Sequence, residues 1–391
     1  MSRYLRQFAL CFAAYLASVA AMNLFVDPNG VFGLYESESF TRYKAQSLER
    51  IAKAEEANRG RADVLLLGDS RVMIGLDPRH PALTRHGRVE NLAVAGGSLF
   101  EGWRMLESAM EVRPPKLVVW GIEPEAMRSL LRPRLDARAR TCRIDPDLDL
   151  FGYYRKQLIG LPTTRESIRT VRRRLLHPEY AWADHGHKID WKDHPPDAWR
   201  TNPEILTRRM EHGRKARRGM ATGIQQFEPL LSRAQQAGVH IVLFIPPTHA
   251  MLQEATYRQV SRRQFSNDSL IALTATVEQL NRAAPDRPAI ELWDFTGFTE
   301  YHTEPFPTVR GDNSQRWHWD AIHFQSSLGN LVLNRMLDRA AEPAELGARM
   351  TSDSLPMHLV DWARQHRVYH RGQPAQIEQV AELNRAAERM H

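Results

Sequence analysis

The chain has 391 residues, 42% hydrophobic and 25% charged, with 22 Gly and 23 Pro, proportions that exclude disorder, collagen and coiled coil. Two cysteines, Cys11 and Cys142, are too few for a disulfide framework or a thiolate metal site, so the fold stands on packing. Net charge is +7, but residues 125–220 hold 22 Lys and Arg against 13 Asp and Glu, which leaves the remainder at −2 with no general basic face for nucleic acid.

Residues 8–26 carry no charge, and only Ser18 and Asn23 among them are strongly polar. Such a run is long enough to cross a bilayer as a helix. Arg3 and Arg6 precede it and Asp27, Glu36 and Glu38 follow, so the positive-inside rule keeps the N-terminus in the cytoplasm and the body outside, in the periplasm or its equivalent. The run also suits a cleaved signal peptide, with Val19, Ala20 and Ala21 as small residues near a cleavage point, or a buried helix. Its length exceeds an ordinary signal core and favours an inner-membrane anchor over residues 1–27. Residues 28–60 then read as a connector, helical and amphipathic from 41 onward.

Short continuous apolar runs at 63–68, 89–94, 116–120, 239–245 and 290–293 have the pattern of buried parallel strands. Helical patterns at 98–112, 222–237 and 254–283 separate them, and this alternation predicts an α/β fold over 61–342 with a mostly parallel sheet. The alternation breaks at about 124–220, a basic insertion expected over the sheet edge, with an arginine triplet at 172–174 and Trp182, Trp191 and Trp199. Its charge suits an anionic polysaccharide or lipid headgroups, or simply a solvated face. An irregular stretch at 296–319, a helix at 325–337 and a charged helical extension at 343–391 complete the chain.

The first strand runs into Gly68-Asp69-Ser70-Arg71, so the Ser70 hydroxyl falls at the carboxyl edge of the sheet, where open α/β sheets bind ligands. By itself Ser70 reads equally as a helix N-cap. A serine nucleophile needs a histidine base, and the histidine needs a carboxylate on its other nitrogen. Asp320 and His323, three apart on a turn entering the last helix, meet that demand, although an Asp-x-x-His alone is more often a cap beside an incidental histidine. The second strand ends at Gly96 and Gly97, whose bare backbone can approach a substrate, and the third ends in Gly121-Ile122-Glu123-Pro124.

Taken in order, these four blocks resemble those of the SGNH (GDSL-type) hydrolase superfamily over about residues 63–339. The resemblance implies a flavodoxin-like three-layer sandwich with Ser70 as nucleophile, His323 as base and acid, Asp320 as its orienter, and the Ser70 and Gly96 N–H groups as an oxyanion hole. No metal or organic cofactor is implied. Where the family places an asparagine as third oxyanion donor this chain has Glu123, and an ionised carboxylate cannot donate. Anchor and insertion together are similar to members that O-acetylate cell-surface polysaccharides beside a membrane-bound O-acyltransferase. The expected activity is therefore acyl transfer through an acyl-serine. An esterase using the same triad, or a scaffold that has kept the fold, are the alternatives.

Remaining candidates are weaker. Asp184, His185, His187 and His194 have no spacing that justifies a metal site, and His318 before Asp320 suggests a ligand pattern that the triad explains with less. His249, after the fourth strand, either touches substrate or caps a helix, and Trp317 and Trp319 either stack on a sugar ring or pack the last loop.

Overall fold

Five of the apolar runs form one sheet in this computed structural model, which describes residues 2–34, 49–131, 135, 137, 139–176, 183–184, 187–188, 220–257, 260–305, 315–339 and 342–389. The strands are β1 (Val64–Leu67), β2 (Val89–Asn91), β3 (Leu117–Gly121), β6 (His240–Ile245) and β7 (Glu291–Asp294), all parallel, in the order β2-β1-β3-β6-β7. A two-residue strand, β8 (Ala348–Arg349), adds antiparallel to the β7 edge. Residues of β4 (Ala183–Asp184) and β5 (His187–Lys188) form a separate hairpin. After β2 the Asn91 side chain accepts from Ala93 N–H, while Leu92 N–H still donates to Leu66 O at 2.9 Å and keeps the segment beside β1.

Strand side chains alternate between two cores. Leu65, Leu67, Val118, Trp120, Ile241 and Leu243 meet α2 (Glu49–Arg59), α5 (Leu99–Val112), α8 (Met220–Gln236) and α10 (Val260–Ala283) on one face. Val64, Leu66, Val119, Val242 and Phe244 meet α3 (Ser70–Gly75), α4 (Pro81–Thr84) and α11 (Ser326–Leu337) on the other. The result is three layers, a mixed α/β fold with the sheet in the middle.

The first helix, α1 (Ser2–Val26), includes an 18-residue stretch with a mean hydropathy of 1.9 that lies almost wholly outside the protein core. Length and composition suffice to cross a membrane, as they do for a signal sequence. Its C-terminal end is tied down: Asn23 donates to Leu158 O at 2.8 Å and Thr164 Oγ1 at 2.9 Å and accepts from Ser167 Oγ at 2.8 Å. These partners belong to α6 (Leu150–Ile159) and α7 (Leu161–Leu176), the first half of the insertion. The Asp27 carboxylate then accepts from the N–H groups of Val31, Phe32 and Gly33 and fixes the turn that leaves α1.

Within the described part of the insertion, α6 and α7 pack on α1 and Tyr153 Oη donates to Glu55 of α2 at 2.6 Å, while residues 124–131 pack on α8 and α5 and β5 touches α3. One expectation of organisation changes. Helix α2 is no connector, since Ile51, Ala54 and Ala57 are buried in the core against α5. Residues 35–48, the rest of the insertion with Trp182, Trp191 and Trp199, and His185 and His194 lie outside the described residues. The C-terminal extension is also built in: α12 (Leu355–Gly372) and α13 (Pro374–Arg389) follow β8, and α13 packs on α9 (Ala250–Tyr257).

Candidate active site

Ser70 opens α3 directly after the turn that ends β1. Gly68 occupies this turn with φ +147, and a Cβ there would stand 2.6 Å from Val72 and 3.1 Å from Gly121 O, so only glycine fits. Asp69 is the N-cap of α3, its side chain accepting from Arg71 N–H. Capping is therefore the work of Asp69, which leaves the Ser70 hydroxyl for other use.

From the far end of the domain, His323 reaches Ser70: Oγ and Nε2 lie 2.9 Å apart. Its other nitrogen, Nδ1, meets Asp320 Oδ2 at 2.7 Å. Asp320 Oδ1 accepts in addition from Ile322 N–H at 2.7 Å and His323 N–H at 2.8 Å, so the Asp-x-x-His turn is closed by the same carboxylate that orients the ring. Burial pushes the Asp320 carboxyl up, but the His323 hydrogen bond and charge and the two backbone donors outweigh it and hold the group below its ordinary value. The three expected residues are brought together in the relay order that nucleophilic catalysis needs.

The β2 loop supplies the fourth component. Gly96 has φ +63, with open space where a Cβ would point, and Val94 N–H donates to Gly68 O at 3.2 Å, which seats this loop against the Ser70 turn. Three polar residues of α2 hold it there: Ala95 N–H donates to Glu49, Arg50 donates to Ala95 O at 2.8 Å, and Lys53 donates to Ala93 O. Arg50 is itself paired with Glu101 at 2.7 Å. Nothing in the sequence singled out Glu49, Arg50 and Lys53, because charged residues on an amphipathic helix look solvated until the loop 40 to 46 residues away is placed beside them.

Glu123 stands after β3, the strand next to the one that leads into Ser70, and is ion-paired: Arg71 Nη1 lies 2.7 Å from its Oε1, while Arg71 Nη2 lies 2.8 Å from Asp69 Oδ2. Arg71 is almost fully buried and binds the β1 turn to the β3 turn. The Glu123 carboxylate is thus engaged by a neighbouring cation.

His249 is fully buried, contrary to the reading that it touches substrate. Its Nε2 bonds Glu304 O at 2.8 Å, its Nδ1 accepts from Met251 N–H at 3.3 Å, and its own N–H donates to Ala321 O at 3.2 Å. It caps α9 and braces the catalytic turn. His318 is equally buried, bonded to Tyr301 O at 2.9 Å and edge-on to His249, and burial holds it well below its ordinary pKa. Glu304 accepts from the N–H groups of Arg316, Trp317 and His318, a carboxylate staple under the segment that leads to Asp320. Trp317 is half-buried, edge-on to Tyr301, with the Arg316 guanidinium 4.3 Å from its ring centre, so one of its faces is already covered. Trp319 is half-buried as well, and its N–H donates to His323 O at 2.8 Å, which puts it beside the triad.

Among the described residues one His/Asp/Glu group is close enough to hold a metal ion, Glu254, His366 and His370, and it shares no member with the triad. No protein-family model matches the chain, and no curated protein matches it.

Proposed function

We propose that the chain is an SGNH-type serine acyltransferase, tethered to the inner membrane by α1 with its catalytic domain outside, that moves an acyl group, most simply acetyl, to a hydroxyl of a cell-surface polysaccharide. The observation that carries the reading is the Ser70–His323–Asp320 relay at 2.9 and 2.7 Å. Strand order supports it too: the five parallel strands run 2-1-3-4-5 by rank, the flavodoxin-like order, and Ser70 and Glu123 lie after β1 and β3, which flank the topological switch point.

In the first half-reaction His323 Nε2 takes the Ser70 proton as Oγ attacks the acyl carbonyl, and the oxyanion develops beside the Ser70 and Gly96 N–H groups. His323 then gives the proton to the leaving group, and acyl-Ser70 remains. A sugar hydroxyl, deprotonated by the same nitrogen, attacks this ester in the second half, and Ser70 recovers its proton. Trp319 beside the triad offers an aromatic face for the sugar ring. Water in place of the sugar makes the same site an esterase. A membrane-bound O-acyltransferase is the partner that would supply the acyl group.

The test incubates the full chain in detergent with an activated acetyl ester and maps adducts by peptide mass spectrometry, with Ser70→Ala as control. One acetyl on Ser70, absent from the variant and lost on adding a glycan acceptor, is expected. If neither an adduct nor ester turnover appears in either protein, the chain is a scaffold and the catalytic reading is lost.

A further inference from the structure

Helix α12 is attached to the domain by apolar contacts at Leu355 and Leu359 and by Trp362 and Tyr369 against Phe298. Of its eighteen residues only Leu355 and Tyr369 are buried, while Met357, Val360 and Val368 are more than half exposed. Polar contacts add to these: His358 to Asp294, Gln365 Oε1 accepting from Phe298 N–H at 3.0 Å, and His366 and His370 to Glu254 of α9.

The last of these contacts is unusual in its geometry. His366 Nε2 and His370 Nε2 lie 2.7 and 3.0 Å from the same oxygen, Oε2 of Glu254. The two imidazoles are four apart on one helix face, the spacing with which helices present two histidines to a single ion. All three donor atoms lie within 4.8 Å of one another. The Glu254 side chain is 3% exposed, His366 21% and His370 39%, so the group is dry at its base and open on one side. Trp362 stacks on the His366 ring at 5.5 Å and Phe298 lies 4.8 Å from it, an aromatic wall that fixes the ring's orientation.

The geometry points to a zinc site formed by Glu254, His366 and His370, with a fourth, solvent-facing position for water, which clamps α12 to α9. Tetrahedral zinc with bonds of about 2.0–2.1 Å spaces its donors about 3.3 Å apart. The observed 2.7 and 3.0 Å would open by about 0.3–0.6 Å while the two imidazole nitrogens, within 4.8 Å of each other, settle to the same spacing, and two imidazoles with one carboxylate and a water is a donor set that zinc takes. The consequence reaches the triad, since α9 begins at the residues that bond Ala321 O and His302 O, and Met251, Leu252 and Ala255 of α9 pack with Ala321 and with Val380 of α13. Zinc at this site is a structural buttress for the turn that carries Asp320 and His323. It takes no part in acyl transfer, so its test is independent of that reading.

The experiment strips the full chain in detergent with a chelator, adds zinc, desalts, and measures bound metal by mass spectrometry and the unfolding midpoint by scanning calorimetry. One zinc per chain and a midpoint raised by at least about 2 °C are expected. Glu254→Gln should lose both effects while folding normally, because glutamine can still accept from both imidazoles but is a poor zinc ligand; His370→Ala, at an exposed position, should lose them too. Ser70→Ala should bind zinc like the wild type. Retention of less than half an equivalent by the wild type, or equal zinc uptake and equal midpoint shifts in wild type and Glu254→Gln, would overturn the site.

Discussion

In the proposed reaction Arg71 sets what Glu123 does to Ser70. One guanidinium faces two carboxylates, Asp69 and Glu123, so this trio carries one net negative charge close to where the proposed oxyanion would form. At an effective dielectric of about 20 a unit charge in close contact is worth at most about 4 kcal/mol, and the 24% exposure of Glu123 reduces that to about 1 kcal/mol. Glu123→Gln keeps the shape and a bond to Arg71 while removing the charge. It should therefore speed acylation of Ser70 by an activated ester about three- to tenfold, read from burst kinetics at neutral pH. A rate that stays level or falls in a normally folded variant would mean that Glu123 serves the substrate and does not merely oppose the oxyanion. The contribution of Asp320 was legible in the sequence because its partner is three residues away. That of Arg71 was not, because Glu123 comes to it only when β1 and β3 pair.

Two helices that touch through glycine set the distance between Ser70 and His323. α3 begins with the serine, α11 starts three residues after the histidine, and at their contact a Cβ on Gly329 would stand 1.8 Å from Gly75 O. On Gly75 it would stand 2.0 Å from the Phe324 ring. Gly329→Ala should therefore push the helices apart, at a stability cost of about 1–3 kcal/mol, and lengthen the catalytic hydrogen bond. Val332→Ala, on the same helix, leaves a void of similar cost without a wedge. Acylation should fall at least tenfold more in Gly329→Ala than in Val332→Ala at matched midpoints; equal losses would show that the contact does not set the site. α12 makes a second case, one that depends on pH. Burial lowers the His358 pKa, but its bond to Asp294 at 2.8 Å and the charges of Asp294 and Asp361 prevail and hold it above 6.5. A raised pKa gives stability that is fully present below about 6.5 and lost as pH rises through the folded-state value. The midpoint difference between wild type and His358→Gln should thus be largest near pH 6 and shrink toward pH 8, and a difference that grows over that range contradicts the assignment. Elements made of continuous apolar runs were legible, as β1, β3, β6 and β7 show. α2 and α12 were seen only as charged helices, since the groups that give them a role, the 93–95 loop and Glu254, lie 40 to 116 residues away.

At the scale of the whole molecule, α7 is built inside out. Thr163, Glu166, Ser167 and Thr170 face inward, with Ser167 bonded to Asn23 of α1, while Leu161, Ile168 and Leu175 are 80%, 55% and 72% exposed in a stripe seven residues apart. Arg165, Arg169 and Arg172 are exposed around them, and Phe151 of α6 is 79% exposed. An apolar stripe edged with arginine, on a helix fixed to the end of another that is long and apolar enough to cross a membrane, is the pattern of an interfacial helix, with its apolar side chains below the headgroups and its guanidinium groups among them. The sequence showed the basic excess, but the polar face of α7 hid its direction, because a helix whose inward side is polar looks like a solvated one. If α1 crosses the bilayer as proposed, α6 and α7 would lie beside it on the outer leaflet. A spin label at Ile168→Cys, in a chain without its two native cysteines and reconstituted in nanodiscs containing anionic lipid, should be more accessible to oxygen than to a water-soluble nickel complex. A label at Glu111→Cys, exposed on α5, should show the opposite order. Should both labels prefer the nickel complex, α7 faces water and is no interfacial helix.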